Sequence, residues 1–533
     1  MTTRLIAQVL LLFVILLGGG FAGADDSIAW PQVNGPFGNF NPRRYDLRLV
    51  DDLSQARQRW VSEYRDLGFA KGSSSGYVRH LTEADTHPGA ASGLIVADGK
   101  VFASSFRPAG DVWAEKLPHL TQDKNREYLA DEKTAAVLRR NAAILADDLT
   151  VAIDLKTGKT VWEAVEAGRG LNRYSGKRNH FGVTPAWHDG RVFTMGTTGM
   201  VYCYDAATGR KLWEDESGVL VKLSEAEKEK LLRERNGFAD GGGRSASLVV
   251  ADGVLVVPQF TGGHTIPLRG VDIDSGKTLW EVADATCRYA TPAVWSHQGR
   301  QYVLCANIGQ HGKPASSQLR LIDPKSGRVL WTVDGLEPTW YPLSPSESHV
   351  LVNVTSAHFN PKKQQESWGL MAAYRLSPEM AERLWTMPDK PQFWFENHFD
   401  ICCMRRVAIR DGRVYFFSQG HTLDPAVTSR FFSILDEATG KVLHTSDAIS
   451  GSPQFWVVED RLLVIPDAAH SDRSTLETYT TDPADFRKLG ESWKPPHENT
   501  TAYEVFIESP YAGGLLVMRN RQGQVVCYDL SRE

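Results

Sequence analysis

The stretch Ala152-Ile153-Asp154-Leu155-Lys156-Thr157-Gly158-Lys159-Thr160-Val161-Trp162 decides the fold. Its pattern, A-x-D-x-x-T-G-x-x-x-W, sets a turn signal between two apolar runs, which reads as strand, turn, strand. The pattern returns. Cys203-Tyr204-Asp205 leads to Thr208-Gly209 and Trp213, Asp272 to Ser275-Gly276 and Trp280, and Asp323 to Ser326-Gly327 and Trp331. Asp436 leads to Thr439-Gly440 with His444 in the tryptophan slot, and Cys527-Tyr528-Asp529 is a last half copy. Successive aspartates are 51, 67, 51, 113 and 93 residues apart. The last two gaps are near twice the shortest, so each holds a decayed copy. These are Ala373-Tyr374-Arg375 before Trp385, and Thr478-Tyr479-Thr480 before Trp493. A recurring period of this size marks a repeat architecture.

A second signal precedes each copy. Asp98-Gly99, Asp189-Gly190, Asp252-Gly253 and Asp411-Gly412 stand between alternating apolar runs. Asp-Gly in that setting is a strong hairpin signal, because a type I′ turn needs positive φ at both central residues. Each unit therefore reads as four antiparallel strands, and radial repetition of such units makes an all-β propeller. Eight blades are expected, with seven as the fallback. The final copy stops without an outer strand, and Ile28–Gln32 is the segment expected to supply it. Trp162, Trp213, Trp280, Trp331, Trp385 and Trp493 are expected to dock between blades, with the small residue before the aspartate leaving room for a neighbour's indole.

These repeats resemble the tryptophan-docking motifs of pyrroloquinoline quinone (PQQ) dehydrogenases and of the wider PQQ-like propeller superfamily, which includes the propeller of the outer-membrane assembly machinery. Trp30-Pro31-Gln32, Gly35-Pro36 and Gly38-Asn39 also resemble the opening of secreted bacterial PQQ-like repeat proteins. The resemblance spans about residues 85–530. It implies the fold firmly and the activity weakly, since one fold hosts many functions.

Composition is that of an ordinary globular protein: 533 residues, 42% hydrophobic and 23% charged. A net charge of −5 supplies no field for nucleic acid. Arg4 and the apolar run Leu5–Leu17, followed by Ala22-Gly23-Ala24, form a secretory signal pattern with cleavage expected after Ala24. The run is too short to span a bilayer, so the mature chain is expected to be exported, periplasmic or secreted, without a membrane span, and monomeric. The organisation read from the sequence is a signal peptide at 1–24, an N-terminal segment with a helix at 25–84, and the propeller at 85–533. Three stretches read as helical insertions: Tyr45–Ala70, a run inside Trp113–Ala146, and Leu223–Asn236, where Ser224 and Glu227 have capping-box spacing.

Aligning the inner strands by their Asp-Gly turns brings polar residues from different blades to one end of the axis. His87, Arg178, Asn179, His180, Arg244, Arg288, Tyr289, His398 and Asp400 form this candidate funnel, with Gly89, Gly243 and Cys402 at matching strand starts. Tyr341 and Asn499 join from less regular blades. Cys402-Cys403 is either two small residues on opposite faces of a strand or a vicinal disulfide. The resemblance implies the latter, although in the related alcohol dehydrogenases the pair falls early in the chain. Cys203 and Cys527 occupy the slot of Ala152 and read as small packing residues.

The resemblance also raises PQQ with Ca²⁺ as a cofactor. Glu396, Asn397 and Asp400 offer the oxygen ligands that Ca²⁺ favours, but from one loop rather than from several blades. No metal site is assigned. The first functional reading is a binding or scaffold propeller holding a protein partner or a small molecule at the funnel. The alternative is a PQQ- and Ca²⁺-dependent dehydrogenase oxidising alcohols or sugars, with Asp400 as general base. A hydrolase or carbohydrate-binding propeller ranks third.

Overall fold

The computed structural model describes residues 28–44, 49–68, 89–90, 92–113, 130–141, 143–172, 182–216, 246–258, 260–261, 264–265, 268–283, 285, 290–307, 317–336, 343–355, 369–386, 407–421, 428–449, 454–466, 475–496, 509–520 and 522–532. Within them the chain forms an eight-bladed propeller, so the seven-bladed fallback falls. Blade one is Leu94–Ala97, Lys100–Trp113, Ala143–Asp154 and Thr160–Leu171, from the axis outward. Blade two is Ala186–His188, Arg191–Met195, Val201–Asp205 and Lys211–Asp215; blade three is Val249–Ala251, Val254–Val257, Leu268–Asp272 and Thr278–Val282. Blade four is Ala293–His297, Arg300–Asn307, Ser317–Ile322 and Val329–Leu336. Its outer strand meets blade five through Leu336 and Val354. Blade five has three described strands, His349–Thr355, Gly369–Leu376 and Ala381–Thr386. Blade six is Val407–Arg410, Arg413–His421, Thr428–Asp436 and Val442–Ser446; blade seven is Gln454–Val458, Arg461–Ile465, Leu476–Thr480 and Lys488–Trp493. Blade eight takes Tyr511–Ala512, Leu515–Arg519 and Val525–Asp529 from the C-terminal part of the chain and Arg57–Val61 from the N-terminal part.

The turns form as their residues dictate. Asp98, Asp189, Asp252 and Asp411 have φ of 46–52° and the glycines after them 67–73°, the mirror-image turn that matches strand twist. Gln298-Gly299 and Gly513-Gly514 make the same turn with weaker sequence signals. In the second turn the aspartate has a bonding role. Asp154 Oδ1 accepts from Thr157 N–H and Thr157 Oγ1 at 2.8 and 2.7 Å, and Asp205, Asp272, Asp323 and Asp436 repeat the arrangement with Thr208, Ser275, Ser326 and Thr439. The turn glycine does two things. Gly209 sits at φ +72°, and a Cβ there would fall 2.6 Å from the ring of Trp162 in the preceding blade.

Docking follows one rule at six seams. The indole N–H of Trp60, Trp162, Trp213, Trp280, Trp331 and Trp385 donates at 2.7–2.9 Å or 3.0 Å to a carbonyl in the next blade: Leu155, Ala206, Ile273, Pro324, Ser377 and Glu437. The small residue two positions before the aspartate clears space for its own blade's indole, not a neighbour's. Gly270 pairs in register with Trp280, and a Cβ there would lie 2.0 Å from that ring.

Two expectations are corrected. The strand that completes blade eight is Arg57–Val61, in register with Asp529 to Val526, and not Ile28–Gln32. The helix expected over Tyr45–Ala70 is, in its described part, a 3-10 turn at Leu53–Gln55 followed by that strand. Helical spacing was overridden because an open sheet edge offered the backbone a full ladder of hydrogen bonds. A helix does form in the second insertion, at Glu132–Asn141, but Ala143 already belongs to a strand. Leu223–Asn236 lies outside the described residues.

Candidate functional site

The two ends of the ring differ in what the chain places there. At the end that carries the Asp-Gly turns, an N-terminal arm runs across the inner strands. Trp30 exchanges two backbone hydrogen bonds with Val96 of blade one, and Pro31 C=O accepts from Trp187 N–H of blade two at 2.8 Å. Gln32 Oε1 accepts from Val250 N–H of blade three, and Asn34 Nδ2 donates to Pro292 C=O at the start of blade four. Ser344 Oγ, leading into blade five, donates to Asn39 C=O; Asn41 Nδ2 donates to Ile409 C=O of blade six. Val50 N–H then donates to Leu530 C=O beyond blade eight, and Asp51 C=O accepts from Thr478 Oγ1 of blade seven. Residues 30–51 thus reach every blade.

Local sequence explains the path. Trp30, Asn34 and Phe40 are buried, and such groups stay buried only when packed or hydrogen-bonded. Gly38 has φ +69°, and a Cβ there would come 2.2 Å from Val294 C=O, so no side chain fits. Arg410, buried by the arm, donates to Pro42 C=O and Val457 C=O. Burial lowers its pKa, partly offset by Glu459 and Asp411.

At the opposite end each outer strand finishes and each next inner strand begins, so the chain crosses between blades there. The funnel candidates His87, Arg178, Asn179, His180, Arg244, Arg288, Tyr289, His398 and Asp400 lie outside the described residues, as do Tyr341, Asn499, Cys402 and Cys403. Gly89 is described. A Cβ on it would meet Gly68 Cα at 2.5 Å, so the arm's end and the start of blade one are in backbone contact. Arg519 anchors this junction. It is buried, and its guanidinium donates to the carbonyls of Ala90, Ser92 and Leu67. Burial lowers its pKa to about 10, which leaves it charged at neutral pH.

Among the described residues blade one has the longest strands toward this end, of 14, 12 and 12 residues. Blade two braces it. Asp148, buried, accepts from Thr197 N–H and Thr197 Oγ1 at 2.9 Å each and from Tyr202 Oη at 3.3 Å. Tyr204 Oη donates to Glu166 Oε1 at 3.2 Å. Burial raises both phenol pKa values, so these tyrosines act as neutral donors. Arg519, Asp148 and Trp60 were missed from the sequence because none of them falls in a repeat slot; the Trp30–Asn39 motif was the available clue to the arm.

The thiols of Cys203 and Cys527 are free and buried, and Cys305 is buried as well. Burial pushes those of Cys203 and Cys527 up to about 12, as inert packing groups. Among the described residues, no three His, Cys, Asp or Glu side chains gather so as to hold a metal ion. Glu396, Asn397 and Asp400 lie outside them. Among the same residues no helix is long and apolar enough to cross a membrane.

No curated protein matches the chain. Among solved structures it is similar to BamB from Moraxella catarrhalis, at 12% identity and a TM-score of 0.43, covering 73% of this chain and 92% of that one. It is also similar to the quinohemoprotein alcohol dehydrogenase from Comamonas testosteroni, at 12% identity and a TM-score of 0.42, covering 96% of this chain and 81% of that one. Residues 146–339, blades one to four in large part, match a PQQ-like family model described as outer membrane protein assembly factor BamB. The resemblance read from the tryptophan-docking repeats is therefore borne out over residues 146–339, which match the PQQ-like family model, within a chain whose described residues form an eight-bladed β-propeller.

Proposed function

We propose that this protein is an exported binding platform, a rigid ring that holds a protein partner or a small molecule at the end where the chain crosses between blades. The observation that carries the reading is the arm. Residues 30–51 bond to all eight blades at the Asp-Gly end. A surface already covered by its own chain has few backbone groups left to offer, whereas at the other end the described outer strands finish and the next inner strands begin, and connections on a rigid scaffold are where binding concentrates. Signal-pattern residues 1–24 support export, and the match of 146–339 to the family described for BamB supports a partner-holding role.

Photo-cross-linking tests the reading. A photoreactive residue placed at the exposed Glu216, at the crossing end, is expected to capture a partner in the native compartment, and one at Asp98 on the arm-covered end is not. Adducts from Asp98 alone would overturn the platform as oriented here. Replacing Arg244 and Arg288 by alanine is expected to weaken capture with little change in melting temperature. The dehydrogenase alternative is tested separately, by titrating the purified protein with PQQ and Ca²⁺ and following tryptophan fluorescence.

A further inference from the structure

The outer strand of blade one, Thr160–Leu171, has 12 residues, where those of the other blades have 5 to 8. It is the edge of its sheet. Its far end is capped by blade two: Thr197 Oγ1 accepts from Leu171 N–H at 2.8 Å, and Thr198 Oγ1 donates to Arg169 C=O at 3.1 Å. Gly168, at φ +65°, marks where that capped part begins. From Val161 to Ala167 nothing among the described residues pairs with the outward backbone.

Long open edges are normally guarded by proline, lysine, a bulge or a covering segment. The run Val161-Trp162-Glu163-Ala164-Val165-Glu166-Ala167 contains neither proline nor lysine, and the strand's two register shifts fall at its ends, between Thr160 and Trp162 and between Glu166 and Gly170, so Trp162 to Glu166 is regular. Its two faces differ. Trp162 and Glu166 turn to blade two, where they meet Ala206 C=O and the groups Tyr204 and Lys211. Val161, Glu163 and Val165 share the other face, and Val161 and Val165 are 44% and 40% exposed. Glu163, between them, accepts from Tyr64 Oη at 2.7 Å; among the described residues no salt bridge joins it to a cation, and Arg107, bonded to Asp66, acts on it only through space. The strand is also fixed in place by the Asp148, Tyr202 and Tyr204 bonds, so little ordering cost remains for an added strand.

We infer that this edge takes up an extended segment of a partner protein as an added β-strand. The segment carries a basic side chain opposite Glu163 and apolar side chains two positions to either side, facing Val161 and Val165. Main-chain hydrogen bonds supply the affinity in this mode and alternate side chains the choice of partner. The inference goes beyond the platform reading, because this edge lies on the outer rim of blade one and not at the crossing end.

The test uses the full chain and the probe peptide Thr-Val-Thr-Lys-Thr-Val-Thr, with hydrogen exchange read at the amides of residues 161–167. Exchange there is expected to slow by about tenfold with saturating peptide. The same peptide with alternate backbone nitrogens methylated keeps its side chains but cannot pair, and is expected to give no protection. Val161→Lys with Val165→Lys guards the edge and is expected to abolish protection with the melting temperature unchanged. Equal protection by the methylated peptide, or none by the parent peptide, overturns the inference. Either result stands whatever cross-linking at the crossing end shows, so the platform reading succeeds or fails on its own test.

Discussion

The seam between blades one and two and the seams on either side of blade seven are built from different materials. At the first, Trp162 lies over Gly209 and donates to Ala206 C=O, with both partners supplied by the repeat. On one side of blade seven, the His444 ring meets Phe486 tilted, at 4.7 Å between centroids. On the other, Trp493 meets Tyr528 edge-on at 5.3 Å. Where the motif has decayed, the arm supplies the bonds: Asn41 to Ile409 in blade six, Asp51 to Thr478 and Arg461 in blade seven, Val50 to Leu530 after blade eight. The arm bonds the intact blades as well, so at the degenerate copies it adds bonds that the repeat itself does not supply.

That contrast can be broken most directly with tryptophan. Trp162→Ala is expected to cost about 3–5 kcal/mol of unfolding free energy in urea, the usual range for emptying a large core site. Trp60→Ala is expected to cost as much, since it makes the same contact with Leu155 C=O and Gly158 from outside the repeat. A much smaller loss for Trp60→Ala would mean that the closing strand is held by its backbone ladder and not by docking.

Glycine sharpens the comparison. Gly209 and Gly190 have φ of +72° and +71°, but a Cβ at Gly190 would meet nothing within 4 Å. Both alanine variants incur the left-handed backbone cost, about 1–2 kcal/mol. Gly209→Ala is expected to lose about 1–3 kcal/mol more from crowding Trp162. Equal losses would show that the indole can shift.

The arm's own share is smaller per contact. Asn41→Ala leaves the buried Ile409 carbonyl without its donor and is expected to cost about 1–2 kcal/mol, read as a lower urea midpoint. If the arm does brace the weak seams, hydrogen exchange in blade six should rise more than in blade two.

Acid gives the smallest effect. The hydroxyl of Thr208 holds Asp205 below the ordinary carboxylate pKa, and Ser275 and Thr439 do the same for Asp272 and Asp436. A lowered folded pKa means stability that is present above the unfolded value near 3.8 and is lost as pH falls through the folded value. Asp205→Asn with Asp272→Asn is therefore expected to flatten the acid limb of a stability-against-pH curve below about pH 4 by a few tenths of a kcal/mol, given how exposed these turns are.

The fold was legible because each repeat carries its own turn chemistry. Asp-Gly and Asp-x-x-Thr-Gly specify backbone conformations locally, so eight blades could be counted through two copies that had lost Asp or Gly. The arm was not legible in the same way. Arg57–Val61 has no strand alternation, and its partner Asp529 is 470 positions from Arg59. What makes it a strand is an empty edge far along the chain, which no local window contains. Gln32, Asn34 and Asn41 likewise act through single bonds to blades three, four and six, with no spacing rule to betray them. The funnel candidates came from repeat register, which places a residue at an end of the axis but says nothing about the path of the crossing that carries it.

The arm also imposes an order in time. Arg59 stands 470 positions ahead of Asp529, the residue it bonds across the closing ladder. Domains fold as units while a chain is being made, yet the strand Arg57–Val61 has no ladder partner until Val525–Asp529 has followed it. Blade eight is therefore completed after the other described blades, and the ring closes in one late step.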